Sequence, residues 1–308
     1  MGRNLYLDNR VWTPIGTSSS KSFKGTFDGN SHTIEALEIT NTTGYSGLFG
    51  YVENGTLKNM LLKNVKINCT YTNAVSVGAL VGCINRGYVY KVTSTGDLNV
   101  TAAGKTCGGG LIGESLSTNV DNCMSSLNVS AKTTQNLLYA GGLVGLVSYG
   151  NNGYSMTTYL TNSSASGSVS AISTSGSKAH GGGLIGGYLG TETSSVTNCS
   201  ASGSVYVSTS GTYGDYAYAG GLIGRVQRIT SVTNCQATGN AEAHSATRYQ
   251  GAGTYVGGLI GSIDEGTISY CTATGSTSGT SIMNNGATHM EIHRGNIVGS
   301  SGSKVTIY

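Results

Sequence analysis

One proline, one tryptophan and three phenylalanines in 308 residues leave little of the bulky material from which an ordinary globular core is made. Charge is equally sparse. Seventeen Lys and Arg against fourteen Asp and Glu, a net +3, supply no basic stripe for phosphate contacts, so nucleic acid is not an expected partner. No apolar run approaches the roughly 18 residues of a membrane-spanning helix, and Met1-Gly2-Arg3-Asn4-Leu5 lacks the apolar stretch of a secretion signal. Seven cysteines, an odd number without Cys-x-x-Cys spacing, argue against a disulfide framework and against a tetrahedral zinc site. No metal and no other cofactor is expected.

What the chain has instead is glycine, 49 residues of it, with abundant Ser, Thr, Asn and Tyr, a composition of short strands and turns that suggests an exported protein. A Gly-Gly-Leu-Ile-Gly segment or a close variant returns along almost the whole length: Gly47–Gly50, Ala79–Gly82, Gly110–Gly113, Gly142–Gly145, Gly183–Gly186, Gly221–Gly224, Gly258–Gly261 and Asn296–Gly299. Successive final glycines lie 31 to 41 residues apart, a period that marks a solenoid. Because a solenoid extends one continuous core coil by coil, a single domain over 1–308 is predicted. Residues 1–46 form an N-terminal cap and first coil, 47–299 the repeats, and 300–308 the C-terminal end.

One repeat equals one coil in this reading, about eight in all, each made of two or three short strands at about 3.3 Å per residue with the excess in a corner loop. Leu80, Leu111, Leu143, Leu184, Leu222 and Leu259 should stack inside. The Ile or Val that follows each cannot face the same way on a straight strand, so either a bend follows the leucine or a loop covers its neighbour. A second register runs through Asn59-Met60, Lys91-Val92, Asn122-Cys123, Asn162-Ser163, Asn198-Cys199, Asn234-Cys235 and Tyr270-Cys271. It predicts an inward column of small thiols beside an outer or turn column of asparagine amides. Free buried thiols are the expectation, although stacked strands also fall within a disulfide's reach.

Four residues before each motif leucine or its substitute stand Gly44, Ser76, Cys107, Tyr139, His180, Tyr218, Tyr255 and His293, which stacked coils would place in one row. Tyrosine faces pack on the apolar faces of pyranose rings while hydroxyls and amides satisfy sugar hydroxyls. Tyr139, His180, Tyr218 and Tyr255, with Tyr213, Tyr216 and Tyr249 from the loops on the same side, are therefore the candidate ligand-binding residues. The alternative is that the rings simply stack on one another as a cross-coil ladder. His289-Met290-Glu291-Ile292-His293 would place both imidazoles and the carboxylate on one strand face, but a solvated polar face is the simpler expectation. Asp28-Gly29 reads as a tight turn, with Asp28 and His32 structural.

Trp12-Thr13-Pro14-Ile15-Gly16, then Phe23-Lys24-Gly25-Thr26-Phe27-Asp28-Gly29-Asn30, and the glycine-leucine repeats after them resemble the GLUG-motif proteins of bacterial surfaces, a group that includes the repeat stretch of some IgA-cleaving peptidases. The resemblance covers nearly the full length. It implies a parallel β-helix, usually right-handed, on a secreted or surface-anchored protein. The second and last motifs depart from the pattern, with Ala79 for glycine and Ile297 for leucine. The Trp12 segment and Lys304–Tyr308 are natural caps for the end strands.

The leading functional expectation is a non-catalytic extracellular or cell-surface module, an adhesin or stalk that binds glycan or host-surface protein through Tyr-rich loops such as Ser148–Tyr159 and Thr209–Tyr218. It would stand as a monomer or as part of a larger surface protein. The alternative is a polysaccharide lyase or glycoside hydrolase, which would need two carboxyls converging across a groove. The fourteen acids are scattered in sequence and no nucleophile motif is marked.

Overall fold

The computed structural model describes residues 1–8, 10–40, 44–148, 157–174, 177–190, 193–211, 215–247, 253–283 and 291–308. They form 33 strands and no helix. All pairing between these strands is parallel, and each strand lies beside its equivalent one repeat away. An eight-stranded sheet runs in strict chain order from Tyr45–Ser46 through Val75–Gly78, Thr106–Gly109, Leu138–Gly141, Ala179–Gly182, Tyr216–Gly220 and Gly253–Gly257 to Glu291–Gly295. The other strands form a 25-stranded sheet.

The leucine column is inside, as predicted: Leu80, Leu111, Leu143, Leu184, Leu222 and Leu259 are fully buried. So are Val81, Ile112, Val144, Ile185, Ile223 and Ile260, the residues that follow. Of the two ways to bury both, the chain uses the bend, which falls at Gly-Leu between the two sheets. Its hydrogen bonding recurs from repeat to repeat. Leu222 and Ile223 both donate their N–H to the carbonyl of Leu259, at 2.8 and 3.0 Å. Leu184 and Ile185 do the same to Leu222 at 2.9 and 3.0 Å, and Leu259 and Ile260 to Ile297 at 3.0 and 2.9 Å. The variant final motif thus keeps the bend. Its Ile297 and Val298 are only half-buried, because no further repeat lies over them in the structure.

The bend explains the glycine before the leucine in the repeats that carry one; Ala79 holds this station in the second motif and Asn296 in the last. A Cβ on Gly221 would stand 2.1 Å from the Gly258 carbonyl oxygen and 3.0 Å from the Ala237 Cβ, inside any real contact. At this position glycine is required by the closeness of the next repeat's backbone rather than by an unusual φ.

The second register also holds. Asn59, Lys91, Asn122, Asn162, Asn198, Asn234 and Tyr270 all have φ between 50° and 55°, the left-handed region in which asparagine is the most tolerated residue after glycine. Their carboxamides form an exposed chain: Asn234 Nδ2 donates to Asn198 Oδ1 at 2.8 Å, Asn198 Nδ2 to Asn162 Oδ1 at 3.1 Å, and Asn162 Nδ2 to Asp121 Oδ1 at 2.8 Å. Tyr270 is 80% exposed and has no packing reason to be aromatic. Tyr270→Asn is therefore expected to raise stability by about 1 kcal/mol, read as a higher midpoint in urea at unchanged slope.

Inside the same corner the thiols form the predicted column. Cys199 Sγ donates to the Thr197 carbonyl at 3.2 Å, Cys235 Sγ to Thr233 at 3.3 Å and Cys271 Sγ to Ser269 at 3.2 Å. Ser163 substitutes in the column, its hydroxyl donating to Thr161 at 2.7 Å and accepting from Cys123 N at 3.0 Å. None of the seven cysteines is in a disulfide. Burial pushes Cys107 and Cys123 up to about 12, and a bond to Cys199 raises Cys235 to about 12 as well. The thiolate is the reactive form, so the native protein is expected to resist a thiol reagent at pH 7.5; Cys271, raised as well by its bond to Cys235 but the one thiol that is only half-buried, should react first, and all seven only in guanidinium.

Asp28-Gly29 is not the turn residue pair expected. The left-handed residues are Asn30 and Ser31, at φ 51° and 61°, and Gly29 is needed because a Cβ would meet the Asn59 carbonyl at 2.3 Å. Asp28 is structural as predicted. Its Oδ1 accepts from the Asn30 N–H at 2.8 Å and Asn59 Nδ2 at 3.1 Å, which holds its pKa below the usual carboxylate range. His32 Nδ1 lies 3.3 Å from Asn4 Oδ1. Trp12 donates its indole N–H to the Leu48 carbonyl at 3.0 Å, fastening the N-terminal segment to the first motif.

Candidate binding face

A residue that points outward just before the bend faces one that points outward just after it, so every repeat contributes two side chains to a concave furrow. The first row is Tyr45, Ser76, Cys107, Tyr139, His180, Tyr218, Tyr255 and His293. It matches the predicted row except at its head, where Tyr45 stands instead of Gly44. The first repeat runs from strand to bend with one residue fewer, which shifts the station. The second row is Tyr51, Cys83, Glu114, Leu146, Gly187, Arg225, Ser262 and Ser300. Sequence reasoning missed it, because nothing chemical unites these residues. Their only shared signal is a place three residues after each motif leucine or its substitute.

From Tyr139 onward the first row is a column of stacked rings. Tyr139 and His180 centroids are 4.7 Å apart at 8°, His180 and Tyr218 4.8 Å at 11°, Tyr218 and Tyr255 4.8 Å at 10°, and Tyr255 and His293 4.9 Å at 4°. These separations equal the strand spacing, so the backbone sets the stack. Tyr139, His180 and Tyr218 are buried, and each inner ring spends both faces on its neighbours. Gly187 makes room for the column: a Cβ there would fall 2.4 Å from Tyr139 Cδ1. Arg225 lies over the Tyr218 ring at 5.3 Å and Lys178 over Tyr216 at 5.3 Å.

Among the described residues His180 Nδ1 has no hydrogen-bond partner. Burial, reinforced by the positive charges of Arg225 and Lys178, holds its pKa well below 6.5, so the column carries it as neutral imidazole. Burial pushes Tyr139 up to about 12.

Toward the other end the furrow is polar. Glu114, nearly buried, accepts from Lys105 Nζ at 2.8 Å, Ser148 Oγ at 3.0 Å and Ser76 Oγ at 3.1 Å. Burial works against the Lys105 charge, but Cys107 and Glu114 outweigh it and its pKa is raised. Tyr45 and Tyr51 close that end edge to face at 5.0 Å.

Of the predicted ligand residues, Tyr139, His180, Tyr218 and Tyr255 come together in the column, and half-exposed Tyr216 stacks beside Tyr218 and Tyr255 at 6.4 and 6.3 Å. Tyr213 and Tyr249 lie outside the described residues, as do His289 and the side chain of Glu291, while His293 ends the ring column. Among the described residues no group of three His, Cys, Asp or Glu is placed to hold a metal ion, and no helix is long and apolar enough to cross a membrane.

The profile of the GLUG motif matches residues 179–206, 215–242 and 252–278. The chain carries GLUG motifs. All three matched segments begin at the strand that bears the ring column or one residue before it and end past the thiol corner, so each covers the bend, the furrow and the corner together. Halomucin of Haloquadratum walsbyi is 37% identical over 159 residues, 43% of this chain and 2% of the relative. The chain therefore spans about one-fiftieth of the curated relative it matches. The crystal structure of a candidate immunoglobulin A1 protease from Bacteroides ovatus shares the fold, with a TM-score of 0.52 at 16% identity over 99% of this chain and 76% of that one.

Proposed function

We propose that the GLUG repeats wind as a single right-handed parallel β-helix of about eight coils with capped ends, one domain over 1–308, and serve as a non-catalytic module of a secreted or cell-surface protein. The module is an adhesin or stalk whose outer face binds glycan or host-surface protein. The observation that carries this reading is the parallel register of the eight-stranded sheet, which sets the same outward station at the same height in repeat after repeat. A periodic outer surface on a rigid support suits a repeating ligand. The GLUG motifs and the halomucin relative support a surface setting.

Ion pairing of the acids supports the non-catalytic side. Glu53 meets Arg86 at 3.1 Å, Asp264 meets Arg225 at 3.1 Å and Glu265 meets Arg228 at 3.2 Å, each an intercoil tie. The test is a glycan array on the folded chain with reducing ends assayed in parallel. Retention of a glycan without new reducing ends is the expected result. Reducing-end release that disappears on acid-to-amide substitution would establish the polysaccharide-degrading alternative instead.

A further inference from the structure

The ring column offers edges rather than faces, so a sugar that stacks on tyrosine needs rings elsewhere. Such rings lie two strands further along the chain. Val89, Val120 and Leu160 are fully buried and paired across three repeats, so by alternation their flanking residues point outward. Tyr88 pairs with Asn119, and the Val120–Leu160 register puts Tyr159 on Asn119's other side. The two rings therefore stand two strand spacings apart, roughly 10 Å, about the length of a disaccharide unit. They are 36% and 43% exposed. Tyr90 stacks on Tyr88 at 5.9 Å and 16°, which fixes the first ring in place.

The row on the other flank of Val89, Val120 and Leu160, formed by Tyr90, Asp121 and Thr161, supplies polar groups. Asp121 Oδ1 accepts from Thr161 Oγ1 at 2.7 Å and from Asn162 Nδ2 at 2.8 Å. Its other oxygen carries no hydrogen bond among the described residues and is left for a ligand. The carboxamide chain from Asn162 to Asn234 spends one N–H of each amide on its neighbour and keeps the second. Tyr88, Asn119, Asp121, Tyr159 and Asn162 line one shallow depression with no lysine or arginine in its lining, the Lys91 ammonium being held over the Tyr90 ring at 5.0 Å. A carboxylate without a cationic partner in the depression repels sulfate, phosphate and sialic acid. Ring faces, amides and one carboxylate acceptor together match a ligand that is hydroxyl-rich and uncharged.

We propose that this row is a platform for a neutral, linear oligosaccharide lying along the direction in which the repeats stack. Tyr88 and Tyr159 carry alternate sugar rings, and Asp121 and Asn162 bind the hydroxyls between them. The ligand class rests on the glycan reading above, but the site is distinct from the ring column.

The experiment is calorimetric titration of the full chain with neutral hexose tetrasaccharides and with sulfated and sialylated ones. Wild type is expected to bind at least one neutral tetrasaccharide, and Tyr159→Ala to weaken it roughly tenfold. Tyr88→Ala with Tyr159→Ala should abolish binding, Asp121→Asn should weaken it severalfold, and Tyr206→Ala, at an exposed ring outside the depression, should leave it unchanged. These side chains are solvent-facing, and an unchanged far-ultraviolet spectrum and melting curve confirm folding. Neutral-sugar binding that survives the double variant but is lost in Tyr216→Ala overturns the platform and keeps the glycan reading. Preference for the anionic sugars overturns the neutral assignment, and no binding by folded wild type overturns both readings.

Discussion

Gly221→Ala should cost about 3 kcal/mol, a large share of the ~5–15 kcal/mol that holds a typical domain folded. The added methyl would sit 2.1 Å from the Gly258 carbonyl oxygen, and that obstacle is backbone that cannot rotate away. Moving it displaces the carbonyl of Leu259, which accepts from both Leu222 and Ile223, so the strain falls on the bend of two adjacent repeats. Urea unfolding checks this directly: a midpoint within error of wild type would mean that the repeats are not packed backbone to backbone. Gly183→Ala should behave alike, since its Cβ would meet the Gly221 carbonyl at 2.1 Å.

His180 is expected to make stability depend on pH below neutrality. Its folded pKa lies well below 6.5, while the unfolded chain titrates near 6.5. Between those values the unfolded state binds a proton that the folded state refuses, so stability is complete above the unfolded pKa and is lost as pH falls through the window. The roughly 1.5 pH units between the unfolded value and pH 5 cap the loss there at about 2 kcal/mol. The groups facing the imidazole are the rings of Tyr139 and Tyr218 and the charges of Arg225 and Lys178, none of which offers it an anion. His180→Phe keeps a ring in the column and removes the proton. Thermal melts from pH 7.5 to 5 should show wild type losing more stability than the variant, with the two converging in slope above pH 7. Parallel slopes throughout would mean that His180 is solvated.

The columns were legible because they repeat in kind. Leucine before the final glycine, asparagine at the left-handed corner and cysteine after it recur at matching stations, and each answers one local demand: core filling, positive φ, a small donor. The ring row was legible for the same reason, and failed only at Gly44, where a one-residue deletion before the bend has no mark in composition. What kind alone could not show was which face the rings present. Tyrosines four residues before a leucine read equally well as an open trough or a closed stack, and the choice depends on a row that begins with Tyr51 and Cys83 and ends with Ser262 and Ser300. That row is defined by geometry and has no common chemistry. The Tyr88–Asn119–Tyr159 row escaped notice for a related reason: its rings belong to repeats of different length and stand two strands apart.

In-register stacking of successive repeats is the claim on which all of this depends, and engineered cysteine pairs test it most directly. Tyr206 pairs with Glu242, and Ser208 with His244, so Tyr206→Cys with Glu242→Cys brings two outward thiols to the strand spacing of about 4.8 Å, within the disulfide range. Tyr206→Cys with His244→Cys places them about 8 Å apart, beyond it. Under mild oxidation the first pair should close fast and nearly completely, the second slowly or not at all. Equal rates, or faster closure of the 206–244 pair, would contradict the register and with it both the furrow and the platform.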